Sequence, residues 1–375
     1  MNIFRRLNLY SGLPKSIYTL FIIRIINAFG NFVYPFLTLF LTEKLGMSTA
    51  RAGTYIMWLA VAGVPGILIG GKLSDHFGRK KLIIIFQGLA ALCYIPCIFL
   101  GNSSLVPLLI ILSSTFGSAV QPASSAMLAD LTDRNNRKQA FSLLYLGVNV
   151  GFSIGPMVAG LLYRDHTSWI FIGNAASLLI SELLLILFVQ ETLPSKEEMD
   201  ELSENLKDDE SADTGSLLSA LVKRPTLLMF ISGKTINQFV YSTIGFAIPI
   251  QLAQVFGADL GPKNFGILMS FTGLVVLVFT MPITRATVSV RPITNMIFAG
   301  IFYALGFGML GYISIFALYL VSGLIFTIGE ILEATSSGVY IANHSPVSHR
   351  GRFNSIVPIV TGAGSAIGPY FTAGS

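Results

Sequence analysis

Gly70-Gly71-Lys72-Leu73-Ser74-Asp75-His76-Phe77-Gly78-Arg79-Lys80-Lys81 lies at the join of two long apolar runs, 50–73 and 82–101. Each run has the roughly 20 mostly apolar residues that a helix needs to cross the hydrocarbon of a bilayer. The join therefore reads as a short connection at a membrane surface. Its glycines permit a tight turn and close helix contact. Asp75, at a helix end, can pair with nearby cations or with the N-terminus of another helix. An ordinary basic loop explains the lysines but not an acid and glycines at these spacings.

The same alternation extends along the chain. Apolar runs occur at 17–42, 50–73, 82–101, 104–131, 139–163 and 168–190, then at 225–256, 263–284, 293–312, 315–343 and 352–375. Composition agrees, with 53% hydrophobic residues, 11% charged residues and a mean hydropathy of +0.70. Soluble chains carry about 25% charged residues, so this chain could not cover a water-facing surface of its size, and secreted, cytosolic and disordered classes are excluded. Residues 1–16 are polar and basic, and the first apolar run is too long for a signal peptide, so it is a spanning helix.

Cytoplasmic loops carry excess Lys and Arg. With the N-terminus inside, eighteen basic residues fall in inner segments and four (Lys44, Arg51, Arg164, Lys263) in outer loops, with Arg24 and Lys234 left within the membrane. This predicts a multi-pass plasma-membrane protein with a cytoplasmic N-terminus. It also accounts for the pI near 9.1 without nucleic acid, because the basic residues are scattered over many short loops. Ten of the nineteen acids lie between Glu191 and Asp213, which predicts an acidic cytoplasmic linker over 191–221, disordered or weakly helical. The linker divides a six-helix bundle over 1–190 from a second bundle over 222–375. Cys93 and Cys97 sit one helical turn apart in an apolar run, where thiols behave as small hydrophobes, so no disulfide or metal site is expected.

The two bundles repeat each other. Arg24-Ile-Ile-Asn27-Ala-Phe29 matches Lys234-Thr-Ile-Asn237-Gln-Phe239 at an offset of 210, Ser124-Ser125-Ala126 matches Ser336-Ser337-Gly338 at 212, and Gly151-Phe-Ser-Ile-Gly155-Pro156 matches Gly364-Ser-Ala-Ile-Gly368-Pro369 at 213. Three matches at nearly constant offset indicate duplication, a common origin of transporters. The repeat predicts that the eleventh span continues past Ser375 and that a twelfth follows, so that the second bundle is cut short within its eleventh helix.

With these features together, the connection at 70–81 resembles the loop signature of the major facilitator superfamily, G-x-L-a-D-r-x-G-r-K, with Gly71, Leu73, Asp75, Gly78, Arg79 and Lys80 in register and His76 where the family prefers Arg. The resemblance covers essentially the whole chain. It implies an all-α membrane fold of two pseudo-symmetric six-helix bundles, in which Gly71, Asp75, Gly78, Arg79 and Lys80 form a conformational latch. The fifth span carries Gly147, Gly151, Gly155, Pro156 and Gly160, and resembles the antiporter signature of the bacterial drug:proton branch. Small residues at four-residue spacing also serve plain helix packing, and Pro156 can kink a helix. Many members of that branch have an acid in the first helix and an Arg in the fourth. Here the first has Arg24 and 109–126 has no Arg, so the usual coupling site cannot be carried over.

Two further patterns are decoys. Gly306-Phe-Gly308-Met-Leu-Gly311 fits a dinucleotide-binding pattern but lies inside a spanning helix with no preceding strand. Gly151-Phe-Ser153-Ile-Gly155 fits a nucleophile elbow without a strand-turn-helix context. Neither supports an enzyme.

The informative residues are ionisable groups within the membrane, each costing about 2.5–3.5 kcal/mol if unpaired. They are Arg24, Glu182, Lys234, Glu330 and Glu333. Residues at i, i+3, i+4 and i+7 share a helix face, which gives three polar stripes: Arg24, Asn27 and Asn31; Lys234, Asn237, Gln238 and Tyr241; Glu330, Glu333 and Ser337. In the superfamily the first, fourth, seventh and tenth helices line a central cavity, so the resemblance implies that the stripes meet there, joined by Gln121 and Ser125. The plainer alternative is a structural ion-pair network. Glu182 reads first as an inter-helix clamp, and Asp130 and Asp133 as loop salt bridges to Arg134, Arg137 and Lys138. The expected function is proton-coupled efflux of a small molecule by alternating access, by a monomer in the bilayer, with no cofactor beyond the proton gradient. Either Glu330 or Glu333, beside Arg24 or Lys234, would exchange the proton. The alternatives are a sugar or anion symporter or uniporter, and a non-transporting receptor with the same fold.

Overall fold

The computed structural model describes residues 9–163, 167–194, 225–241, 244, 247–345 and 350–372. Most of the acidic linker, from residue 195 on, lies outside the described residues. Among the described residues every regular element is helical. They are α1 Lys15–Phe29, α2 Val33–Leu39 with a π-helical turn Phe40–Lys44, α3 Thr49–Phe77, α4 Arg79–Leu100, α5 Leu105–Asp130, α6 Arg137–Tyr163, α7 Thr167–Phe188, α8 Pro225–Tyr241, α9 Ala247–Thr287, α10 Pro292–Leu310, α11 Phe316–Asn343 and α12 Arg350–Thr372. Among the described residues, eight helical segments are long and apolar enough to cross a membrane. Of the sequence-predicted spans, the helices α6, α8 and α12 fall outside that set; α8 has only 17 residues and α12 is rich in Gly, Ser and Thr.

Helix ends follow local chemistry. The Ser48 hydroxyl accepts from Arg51 N at 3.4 Å to cap α3, and Pro292 opens α10 at a position with no hydrogen-bonding demand on its nitrogen. One boundary differs from the sequence reading, which ended the seventh span at 256. The helix breaks after Tyr241, and the chain re-enters as α9, bent at Gly257 where φ is +83° and ψ is 169°. Only glycine adopts that backbone without strain, so the turn between the seventh and eighth spans is a single-residue kink and not a loop.

Packing divides the helices into two sets. Within α1–α7, α1 lies on α6, α3 on α5, and α4 on both α5 and α7; within α8–α12, α10 lies on α11, α9 on α11, and α8 on α12. The sets meet through α3 with α12 and through α6 with α9 and α11. The α3–α12 and α6–α9 contacts exchange with each other when the halves are swapped, as a duplicated chain requires. Each set encloses its own apolar clusters, one of them built on Phe32, Leu41, Cys97 and Phe171 and another on Leu252, Tyr303, Tyr319 and Phe326.

The glycine ladder of α6 has a packing role that the structure makes explicit. A Cβ on Gly151 would lie 2.4 Å from Ile25 O and 2.7 Å from Phe29 N, and one on Gly155 would lie 2.2 Å from Phe29 O, while Gly147 abuts the Phe21 ring. The α1 backbone rests directly on α6. The helix runs unbroken from Arg137 to Tyr163 through Pro156 and Gly160; the packing of those two residues lies outside what is described. Because the clashing atoms are backbone and cannot rotate away, Gly151→Leu is expected to destabilise the protein by about 1–3 kcal/mol. In detergent its melting temperature should fall clearly, whereas Ser153→Leu, at an exposed position of the same helix, should leave it nearly unchanged.

Candidate functional site: the polar groups within the helix bundle

Asp75 stands in the last turn of α3, and it reaches across to the other half. Its Oδ1 accepts Gly351 N at 2.9 Å and its Oδ2 accepts Arg352 N at 3.1 Å, so the carboxylate caps the N-terminus of α12. Unpaired N–H groups and the helix dipole favour an anion at that position. Close approach is needed to reach it, and both helices supply glycine: a Cβ on Gly71 would lie 2.6 Å from Ser355, and one on Gly351 would lie 2.5 Å from Gly71 O. Arg79, fully buried, donates to Asp75 and, through Nε, to Asp130 Oδ2 at 3.2 Å; Arg350 donates to the other oxygen of Asp130 at 2.7 Å. The latch motif is thus brought together around two carboxylates. Asp130 is not the loop salt bridge predicted from its neighbours; it serves the interface. Asp133 instead accepts Asn135 N and Asn136 N at 2.7 and 3.1 Å, shaping the turn before α6.

Glu191 was grouped with the acidic linker, and the structure places it elsewhere. Its carboxylate accepts Arg79 N at 2.7 Å and Lys80 N at 3.3 Å, capping α4. Gly78, at φ +103°, leaves room for it, since a Cβ there would lie 2.3 Å from Glu191 Oε2. Lys80 donates its Nζ to Ile186 O at 2.9 Å. No signal within the linker's composition distinguishes Glu191 from the acids after it, but its position directly after an apolar run does.

More contacts join the halves near this end. Arg137 donates to Asn343 Oδ1, Lys138 Nζ to Thr287 Oγ1 at 2.9 Å, and Ser142 Oγ shares a hydrogen bond with Thr284 Oγ1 at 2.7 Å. Deepest is Tyr145 of α6, whose hydroxyl donates to Glu330 Oε1 of α11 at 2.9 Å. These contacts between the halves run from the Asp75 end to this level.

The two acids of α11 have different partners. Glu333, buried, pairs with Lys234 Nζ at 2.8 Å and accepts Asn237 Nδ2 at 3.1 Å, so the seventh and tenth spans meet as predicted. Glu330 has no cation among the described residues; it has Tyr145, and the Tyr241 hydroxyl faces the same carboxyl. Tyr145 was missed in the sequence because a lone tyrosine in an apolar helix carries no charge to mark it. Gln238 is half-buried on α8 and makes no hydrogen bond to another described residue.

Arg24 departs from the expectation. It forms no ion pair or hydrogen bond with any described residue and does not reach Glu330 or Glu333. With Asn27, Asn31 and Gln121 it lines a cavity of ≈ 350 Å³ whose lining comes entirely from residues 20–185, inside the first set of helices. Ser125 is not among the lining residues. The resemblance places these side chains in a cavity between the halves; the cavity they line is bounded instead by residues of the first set alone, among them the small residues Ser113, Ser114, Gly117 and Ser118 of α5. Glu182 Oε2 has no hydrogen-bond partner among the described residues, and the carboxyl lies 3.3 Å from where a Gly88 Cβ would stand, so the expected inter-helix clamp is not seen among them.

Comparison with known proteins matches residues 20–369 to the Major Facilitator Superfamily. One relative, a Na(+), Li(+), K(+)/H(+) antiporter of Planococcus maritimus, is 25% identical over 363 residues, covering 90% of this chain and 84% of that protein. The class H tetracycline resistance protein of Pasteurella multocida is 30% identical over 184 residues, covering 48% of this chain and 45% of its own. The crystal structure of the human organic anion transporter MFSD10 has the same fold, with a TM-score of 0.74 at 16% identity over 96% of this chain and 93% of that one.

Two stability predictions follow from these contacts. Glu333→Gln leaves Lys234 without its counter-charge and is expected to cost about 3 kcal/mol, read as a lowered melting temperature that the double variant with Lys234→Met largely restores. Burial alone would raise the Glu191 carboxyl, but the backbone N–H groups of Leu193, Thr192, Lys80 and Arg79 outweigh it and hold its pKa below the ordinary value. A depressed pKa contributes stability above the ordinary value that is lost as pH falls through the lower one. Glu191→Gln should therefore melt lower at pH 7, by about 0.5 kcal/mol for so exposed a group, with the difference closing as the pH falls below about 4.

Proposed function

The chain belongs to the Major Facilitator Superfamily, whose members are membrane transporters and not enzymes, and from that premise we propose that it is a proton-coupled antiporter that expels a small molecule by alternating access. Glu330 is the proton-exchanging group. It sits in one half and takes its hydrogen bond from Tyr145 in the other, and this one observation carries the reading. When the halves part at the Asp75 end, the carboxyl loses that donor and meets water, so its proton affinity must differ between the two states. Glu333 cannot serve equally, because Lys234 holds it within one half and moves with it.

The positive-inside count puts the Asp75 end in the cytoplasm. The contacts there then correspond to a state closed to the cytoplasm, with Asp75 on α12 and the Arg79–Asp130–Arg350 chain as the latch. A carboxylate capping a helix of the opposite half is favourable only while the halves touch, so it weights that state without contacting substrate. The names of the relatives support proton coupling and drug efflux, the first through ion/proton antiport and the second through tetracycline resistance. A second reading, transport of an anion, is favoured by Arg24, which has no partner among the described residues and lines a cavity.

Proteoliposomes with an internal pH dye test the coupling, challenged with alkali cations, lipophilic cations and organic anions in turn. Wild type should move protons in response to its substrate. Glu330→Gln, fixed in a neutral form, should lose pH-driven uphill transport by at least about tenfold while retaining substrate exchange. Accumulation by Glu330→Gln with wild-type pH dependence would remove Glu330 from the mechanism.

A further inference from the structure

Arg24 is the membrane cation that the contacts above leave without a described partner. It lies midway along α1, within a span of 23 residues, where an ionisable group without a partner is strongly disfavoured. Lys234, its counterpart in the repeat, is neutralised by Glu333 at 2.8 Å. Among the described residues Arg24 has no such acid: Asp75 and Asp130 are engaged with other arginines, and Glu182 does not line the cavity. The guanidinium faces a space of ≈ 350 Å³, within the usual range for small-molecule pockets. That space has further unused hydrogen-bonding capacity, since Asn27 Oδ1 and Ser181 Oγ are buried on its lining without partners.

We propose that this cavity is a binding site for a small organic monoanion, with the Arg24 guanidinium as the ligand for its carboxylate. A metal cation is excluded from the role by the sign of the charge. Arg offers a planar fork of donors that matches a carboxylate in bidentate fashion, and the carboxylate brings into the membrane the counter-charge that no described residue supplies. The space exceeds what a single halide needs, and its lining mixes Tyr34, Tyr94, Leu37 and Leu59 with the polar groups, so it suits an apolar body attached to the anion. This inference concerns binding and does not depend on Glu330 or on proton coupling.

The test uses the 375-residue chain in nanodiscs with benzoate as the probe, a compact pairing of a carboxylate with an apolar ring, and with benzamide and chloride as controls at matched ionic strength. Benzoate should raise the melting temperature of wild type in a concentration-dependent way, and neither control should. Arg24→Gln should weaken benzoate at least tenfold, and Arg24→Lys, which keeps the charge but loses the fork, should weaken it less. Because the substitution removes an unanswered charge, ligand-free Arg24→Gln should melt no lower than wild type. Glu330→Gln should bind benzoate as wild type does, which separates failure here from failure of the coupling reading. An undiminished shift in Arg24→Gln, or an equal shift with benzamide, would overturn the proposal, and an equal shift with chloride would replace it with a halide site. If Arg24→Gln does not fold, Asn27→Ala decides: several-fold weaker benzoate binding supports the site, and unchanged binding rejects it.

Discussion

The arrangement of this protein depends on a carboxylate that one half places on the helix terminus of the other. Asp75 stands in the last turn of α3 and accepts two backbone N–H groups at the start of α12. A helix N-terminus within a membrane protein must find an acceptor, and here the acceptor belongs to the opposite bundle. The surrounding features serve that contact. Gly71 and Gly351 remove the side chains that would hold the helices apart, and Arg79 and Arg350 tie Asp130 into the same cluster. An interface held by directional polar contacts at one end can be made and broken as a unit, which suits a molecule that moves between two states.

A second constraint acts across the rest of the bundle: a charge within the membrane is costly unless it is answered. Glu182 Oε2 has no partner among the described residues, and the other groups differ in three ways. Lys234 and Glu333 answer each other inside one half and stabilise it whichever state is occupied. Glu330 is answered by a neutral hydroxyl from the other half, so its environment depends on how the halves stand. Arg24 is answered by no described residue and faces a cavity. The first is a structural pair within one half, the second a contact between the halves, and the third a cation facing a cavity.

Close helix packing provides the rigidity these groups need. Gly151 and Gly155 bring the α6 backbone onto α1, so that the helix carrying Tyr145 and the helix carrying Arg24 are fixed relative to each other. The ladder resembles a signature of antiporters, and its immediate physical effect is this contact. Movement of α6 against α9 and α11 would therefore carry the Arg24 cavity with it.

The sequence by itself determined the all-helical membrane fold, because apolar runs of spanning length leave no other structure that satisfies the backbone in lipid. It determined the duplication through matched residues at nearly constant offset, and it marked Lys234, Glu330, Glu333 and the 70–81 motif, because charge in an apolar run is visible one residue at a time. Pairing was decided only by the tertiary structure. Helical periodicity gives the face of a helix and not what lies opposite, so Arg24 was grouped with the acids of α11 although the volume left by small residues of α5 draws it into its own bundle. For the same reason Glu191 was read as linker and Asp130 as a loop residue, when each acts on helices distant in sequence. The choice between Glu330 and Glu333 also belongs to the fold: two acids one turn apart look alike in sequence, and they differ because α8 presents a lysine to one while α6 presents a tyrosine to the other.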